Sequence, residues 1–454
     1  MAATGHIAVI DIGKTNAKVV LVDADDLHEI DVRTMRNIVL HTPPYPHFDV
    51  EALWNFITVS LAGLHAAHGI GAISVTAHGA SAALIDENGG LAAPVLDYEH
   101  PGPEALANEY DAIRPPFEET GSPRLPGGLN LGAQIYWQFK TIPGLFERTR
   151  GIFTYPQYWG FRLTGNACNE VSSLGCHTDL WDPYRADYSS MVGALRWTEK
   201  FMPIRRADEV LGGISADVAQ QTGLPPGTRV YCGIHDSNAS LLPYILANDE
   251  PFSVISTGTW VIVMTVDGKD VALDPKRDTL VNVSARGQRV PSARFMGGRE
   301  FERMMQGRTS VFSEDDVDQV LQKNAMLLPS VETSSGPFPG RPMKWSCAPE
   351  TLSAGERAVV VSFYLAMMTV VCMELTGSRG RVFLEGAMAA NSAYGRMLSA
   401  ASSQDVVCSQ GTGTSYGAAL LATPHPLSTR NWEMVFDGAR SDVMRSYALK
   451  WKNG

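Results

Sequence analysis

At 454 residues the chain exceeds what one hydrophobic core organises at the usual size of about 100–200 residues per domain, so two or more large domains are expected. Apolar residues make up 44% and charged residues 19%, with 42 Gly and 27 Pro, which excludes a disordered or coiled-coil chain. Lys and Arg number 37 against 48 Asp and Glu, a net charge of −11, and no basic run stands out. General attraction to nucleic acid or an anionic membrane is excluded, and any phosphate must be held by local geometry.

The first apolar run, 7–11, is interrupted by Asp11 and lacks the layout of a signal peptide. A turn over 12–16 and a second apolar strand over 19–22 complete a hairpin. Gly13-Lys14-Thr15 resembles the end of a phosphate-binding P-loop, but that motif needs a Gly at position 8, which is Ala8, and no helix begins at Lys14. What remains is a carboxylate at a strand end, Asp11, which can hold Mg²⁺, and a turn in which Gly13, Thr15 and Asn16 offer phosphate donors with Lys18 as a cation beyond. An ordinary β-turn explains one such hairpin equally well.

A helix over 50–65 and a strand over 72–76 follow, then a helix over 134–139 and a strand over 229–232. Next comes Gly233-Ile234-His235-Asp236-Ser237-Asn238, opening a helix over 237–246. Asp236 thereby lies at a strand end beside a helix N-terminus, where a carboxylate is stabilised as the anion and ready to accept a proton. Helix capping is the competing role. Ala247 to Pro251 reads as a boundary. Beyond it a second hairpin appears, with strands over 252–256 and 260–266 around Thr257-Gly258-Thr259. Repetition of the motif predicts two similar domains with an inter-domain cleft, one donor-rich turn from each gripping a polyphosphate.

A loop is expected over 331–342. Ser353-x-x-Glu356 is a capping box before the apolar stretch 358–373, which is shorter than the roughly 20 residues of a membrane span and reads as a buried helix. A strand over 381–384 leads through Glu385-Gly386-Ala387-Met388 and Asn391 into a helix over 393–401, followed by the small-residue run from Gly411 to Ala419. Such a run lets a flat base lie against backbone, and it also serves plain helix packing. The six cysteines form no C-x-x-C pair and read as reduced thiols of a cytoplasmic protein.

In this order and spacing, these pieces resemble the FGGY carbohydrate kinases, with the rhamnulokinase-like branch the nearest. The resemblance covers almost the whole chain. It implies an α/β fold of two actin-like, ribonuclease-H-like domains: a sugar-binding domain over 1–247, a nucleotide-binding domain over 248–424, and a C-terminal helix in 425–454 returning to the first domain. It further implies ATP-dependent transfer of the γ-phosphoryl group to a hydroxyl of a small sugar, a ketose such as L-rhamnulose or L-fuculose. Asp236 would be the catalytic base and Asp11 the Mg²⁺ ligand. Nucleotide binding would fall to Gly13, Thr15, Asn16, Lys18, Thr257, Gly258, Thr259, Gly298, Gly386, Ala387 and Asn391. His78, Gly79, His235 and Asp236 would meet the sugar, and Leu96-Asp97-Tyr98-Glu99 stands where the family carries an Asp-x-Arg sugar-side segment. The partners expected are the sugar and ATP or ADP, with a homodimer as an open expectation. A nucleotide-gated sugar-binding or regulatory protein on the same scaffold, without phosphotransferase activity, is the alternative; Asp236 discriminates, because such a protein needs no carboxylate beside the sugar.

Overall fold

The computed structural model describes residues 5–308, 311–409, 413–423, 433–435 and 441–454. Gly411 and Thr412, at the start of the small-residue run, lie outside the described residues. The chain divides into two compact units, the first containing residues 5–247, 281–289 and 413–423 and the second most of the remainder.

In the first unit β1 (His6–Ile12), β2 (Asn16–Asp23) and β3 (Glu29–Arg36) form an antiparallel meander. After α1 (Val50–His68) the chain adds β4 (Ala72–Ala77) parallel to β1. The sheet is completed by β5 (Val210–Gly213), β6 (Arg229–Tyr231) and β7 (Ile234–His235), the last two parallel to β4. The sequence of β1 explains its central place. Ala8, Ile10 and Ile12 point into a core with Leu53, Ile57 and Leu61 of α1, whereas Ile7 and Val9 point into a second core on the other face. A strand apolar on both faces must be covered on both. Directly after β7 comes α2 (Asp236–Ala247), whose Ala239 and Leu242 belong to that second core.

The second unit repeats the pattern. β8 (Phe252–Thr257), β9 (Val261–Val266) and β10 (Arg289–Phe295) form the meander, and α3 (Gly297–Met305) follows. The long α4 (Ala354–Leu375) precedes β11 (Arg381–Gly386), which pairs parallel with β8. Then α5 (Ser392–Ser402) leads to β12 (Val406–Cys408), parallel to β11. The strand order β10-β9-β8-β11-β12 reproduces β3-β2-β1-β4-β6, so the duplicated ribonuclease-H-like arrangement expected from the two hairpins is present. Ser353 and Glu356 make both bonds of the capping box at the start of α4. Among the described residues α4 is the helix long and apolar enough to cross a membrane, and it is enclosed by the core of this unit, against Val382, Leu384, Met397 and Leu398.

Two domain assignments are corrected. The expected second domain ran unbroken over 248–424, yet 281–289 and α6 (Gly413–Leu420) belong to the first unit. Small side chains make this possible: Ala418 and Ala419 are fully buried beside Ala239, and Ser74 Oγ on β4 donates to the Ala418 carbonyl at 2.7 Å. The C-terminal α7 (Ser441–Asn453) was expected on the first domain but belongs to the second unit. There Met444, Tyr447 and Trp451 enter the core, the Tyr447 hydroxyl donates to Ala325 O at 2.8 Å and Trp451 Nε1 to Leu327 O at 2.7 Å.

The contact between α2 and α6 is the tightest in the first unit. A Cβ on Gly417 would lie 1.7 Å from the carbonyl oxygen of Ala239, and backbone on both sides leaves nothing flexible to yield. Gly417→Ala is therefore expected to destabilise the protein by ~2–3 kcal/mol, read in thermal denaturation as a fall of roughly 5–10 °C; an unchanged melting temperature would show that the two helices separate freely.

Candidate active site

Strand register brings the two acidic candidates to one end of the first sheet. Thr76 of β4 partners Asp11 of β1 on one side and Ile234 of β7 on the other, so Asp236, two residues beyond Ile234, emerges beside Asp11. Thr414 of α6 donates its hydroxyl to Asp11 Oδ2 at 2.6 Å, and Lys18 is the cross-strand neighbour of Asp11. Burial raises the Asp11 carboxyl above the ordinary carboxylate range; the Asp236 charge adds to this, while Thr414 and Lys18 oppose it. On Asp236 every contact falls on one oxygen: Oδ1 accepts from the Ser237 amide at 2.6 Å and the Ser237 hydroxyl at 3.3 Å, and meets His235 Nε2 at 3.1 Å. Among the described residues Oδ2 has no hydrogen bond. Asp236 thus opens its helix through one oxygen and leaves the other without a hydrogen bond to the described residues.

His235 acts from below rather than as an open pocket wall. It is 4% exposed, and its ring lies against Gly79, where a Cβ would come within 2.7 Å of its Cδ2. Gly79 is thereby explained by its closeness to His235. Burial favours neutral imidazole, but Cys176 and Asp236 outweigh it and lift His235 to about 9. Burial would likewise push the Cys176 thiol up, yet His177 and His235 pull it down to about 5. Glu170, buried nearby, is raised to about 7 by desolvation against its bonds to Ser172.

His78 is also buried, and neither ring nitrogen has a hydrogen-bond partner. Desolvation brings it down to about 4, so it is neutral at physiological pH. Its ring packs against Tyr155 at 4.9 Å, Tyr98 at 5.3 Å and Phe48 at 5.4 Å between centroids. Lys14, considered in the sequence only to exclude a P-loop, reaches over Tyr98 and Phe48 and pairs with Asp97 and Glu99. Its place here was not readable from spacing, because Asp97 lies 83 positions away. Thr414 was missed for the same reason.

The expected phosphate turns divide into donors and braces. The Gly13 amide donates to Asn16 O at 3.0 Å and the Gly258 amide to Trp260 O at 2.9 Å; both glycines close their own turns, while Thr15, Asn16 and Lys18 of the first hairpin and Thr259 of the second are exposed. Thr257 is a brace, not an exposed donor: its hydroxyl donates to Glu385 O at 2.6 Å and accepts from the Met388 amide at 2.9 Å. It ties β8 to the turn at Gly386, where φ is +84° and a Cβ would lie 2.0 Å from Thr257 O. A cavity of about 740 Å³ in the second unit is lined by Gly258, Thr259, Gly298, Phe301, Ala387 and Asn391 among others. Asn391 caps α5, accepting from the Tyr394 amide at 3.0 Å.

The family model described as the N-terminal domain of the FGGY family of carbohydrate kinases matches residues 6–243, and the model for the C-terminal domain of carbohydrate kinase FGGY matches 249–430. The chain belongs to the FGGY family of carbohydrate kinases. A carbohydrate kinase from Novosphingobium aromaticivorans superposes with a TM-score of 0.92 at 35% identity, covering 99% of this chain and 98% of that one. Xylulose kinase from Lactobacillus acidophilus, at 14% identity and a TM-score of 0.77 over 99% of this chain and 97% of that one, shares the fold. L-fuculokinase of Salmonella typhi is 25% identical over 58% of this chain and 57% of its own length. Rhamnulokinase of Halalkalibacterium halodurans is 21% identical over 56% of this chain and 55% of its own. The chain thus spans little more than half the length of these curated relatives.

For this FGGY protein, an isolated carboxylate in the place of Asp11 costs stability. Its raised ionisation makes that penalty absent in acid, where the group is protonated both folded and unfolded, and complete once pH has risen past its folded value. Asp11→Asn, which keeps an acceptor for Thr414, is expected to raise the melting temperature of the ligand-free protein near neutral pH by about 2–4 °C, equivalent to ~1 kcal/mol. The gain should vanish near pH 3; a gain independent of pH would contradict the assignment of the penalty to charge.

Proposed function

We propose that the protein is an ATP-dependent ketose kinase with Asp236 as its general base, and the observation that carries this reading is the Asp236 carboxylate, anchored through Oδ1 with Oδ2 unengaged at the end of β7. A sugar hydroxyl presented to Oδ2 gives up its proton there as its oxygen bonds to the γ-phosphorus of ATP. The bond from that phosphorus to the bridging oxygen breaks and ADP leaves with the electron pair. Asp236 then returns the proton to solvent. In such a loose transition state positioning and charge neutralisation supply most of the rate. His235, with Nε2 3.1 Å from Oδ1, holds the carboxylate in orientation.

A divalent cation fits the residues present. Asp11 is a desolvated carboxylate facing the charge of a second, and among the described residues one hydroxyl and Lys18 compensate it. Asp11 would hold Mg²⁺, which when bound neutralises phosphate charge. Thr15, Asn16 and Lys18 would take phosphate oxygens at the first hairpin and Thr259 at the second. The cavity beside Gly298, Ala387 and Asn391 is large enough for a nucleoside. Fuculokinase and rhamnulokinase among the relatives support 6-deoxy-ketoses as the first substrates to examine, L-fuculose and L-rhamnulose ahead of L-xylulose. Six free thiols support a reducing, cytoplasmic setting. The unengaged Oδ2 favours transfer over the purely regulatory alternative, which gives that atom no task.

Release of ADP with a ketose panel tests the reading. Asp236→Asn is expected to cut kcat by about 10²–10⁴ while nucleotide affinity and melting temperature stay unchanged. Near-normal turnover in that variant would remove Asp236 from the role of base, and no ADP release from the native protein with any ketose would overturn the kinase reading.

A further inference from the structure

The turn after β1 places Lys14 apart from the phosphate donors. Its ammonium lies 4.8 Å from the Tyr98 ring centroid and 5.1 Å from that of Phe48, is paired with Asp97, and lies 3.3 Å from Glu99 Oε2. Lys18, by contrast, is the neighbour of Asp11. The two rings under Lys14 are those that flank His78, and His78 is within electrostatic reach of Lys14, Asp97, His235 and Asp236. One wall of the Asp236 site therefore carries aromatic faces, a fixed ammonium, a carboxylate 9% exposed, and a buried imidazole whose two nitrogens have no partner. A buried polar group without a partner is costly unless something supplies one.

This set of groups matches a polyhydroxylated, uncharged molecule. The partly exposed Tyr98 ring can accept the C–H side of a sugar, with the buried Phe48 behind Lys14, while the ammonium donates to a hydroxyl oxygen and Asp97 accepts from a hydroxyl. The charges argue further. Asp97 and Glu99 offset Lys14 with a carboxylate to spare, and His235 offsets Asp236, so the wall holds no positive charge free to draw an acidic substrate. We propose that Lys14 is a specificity-determining residue: its ammonium, beside Tyr98 and with its charge offset by Asp97 and Glu99, donates to a hydroxyl of a neutral ketose without drawing sugar acids into the site. The inference rests on the kinase reading for its substrate class.

Calorimetric titration with L-fuculose, L-rhamnulose and sodium gluconate tests it without requiring turnover. The native protein is expected to bind one of the ketoses and to bind gluconate at least about tenfold more weakly, because the carboxylates beside Lys14 cancel its attraction for an anion. Lys14→Met should weaken ketose binding about tenfold or more, the worth of a charge-assisted hydrogen bond, with ATP affinity and melting temperature unchanged. Lys14→Arg should restore part of the loss. A Lys14→Met protein that binds ketose normally, or that loses ATP affinity instead, would overturn the proposal, as would native protein that binds gluconate as well as ketose. Should Lys14→Met fail to fold, Asp97→Asn serves: it is expected to narrow the preference for ketose over gluconate about tenfold, and an unaltered preference would count against the wall. The two readings separate cleanly. Ketose binding without ADP release would retire the kinase reading and leave Lys14 in place, whereas turnover with normal ketose binding in Lys14→Met would retire Lys14 alone.

Discussion

Two carboxylates brought to the same end of one sheet repel each other, and the first unit is organised around keeping them there. Asp11 ends β1 and Asp236 follows β7, and the register of β4 between those strands brings them together through Thr76. The helices that begin at the site hold the arrangement. α2 starts at Asp236, α6 supplies Thr414 to Asp11, and the two helices meet through Gly417 and Ala239 with no room for a side chain. A desolvated carboxylate such as Asp11, beside a second one, is a poor way to stabilise a fold. It is a good way to attract a cation and to take a proton, which is the stability cost expected at a functional site.

The second unit uses the same strand order with a different strand end. At the end of β8, Thr257 bonds backbone on both sides of the Gly386 turn, so the strand end is closed where that of β1 is left open to chemistry. One duplicated scaffold thus carries two kinds of site. Titratable groups gather in the first unit, and the second offers a cavity whose walls combine glycine, alanine and two phenylalanines with Arg299, Glu302 and Asn391. Such walls suit a flat base more than a reacting group. Belonging to a family of carbohydrate kinases agrees with this division of labour.

Much of the architecture was legible in the sequence because it is local. Short apolar, β-rich runs marked β1, β2, β8 and β9, the capping box at Ser353 and Glu356 marked the start of α4, and the repeated hairpin announced the duplication. Asp11 and Asp236 were legible because each adjoins a local signal, a strand end or a helix start. The failures were all at long range. Nothing in the composition of 413–423 reveals that it packs on α2, since small residues suit many partners, and α7 is amphipathic without stating which core it enters. The glycines of the two hairpins read as phosphate donors, yet their amides close their own turns. Lys14 read as a failed P-loop, and only the fold shows it turned toward Asp97 and the aromatic wall.

The most direct measurement is a crystal structure of the protein with a bound ketose. The account requires one sugar hydroxyl oxygen within hydrogen-bond reach of Asp236 Oδ2, at about 2.6–3.2 Å, with the sugar's C–H face toward the ring of Tyr98. A sugar seated away from Asp236, or held against it solely through Oδ1 contacts with Oδ2 turned to another protein group, would contradict it.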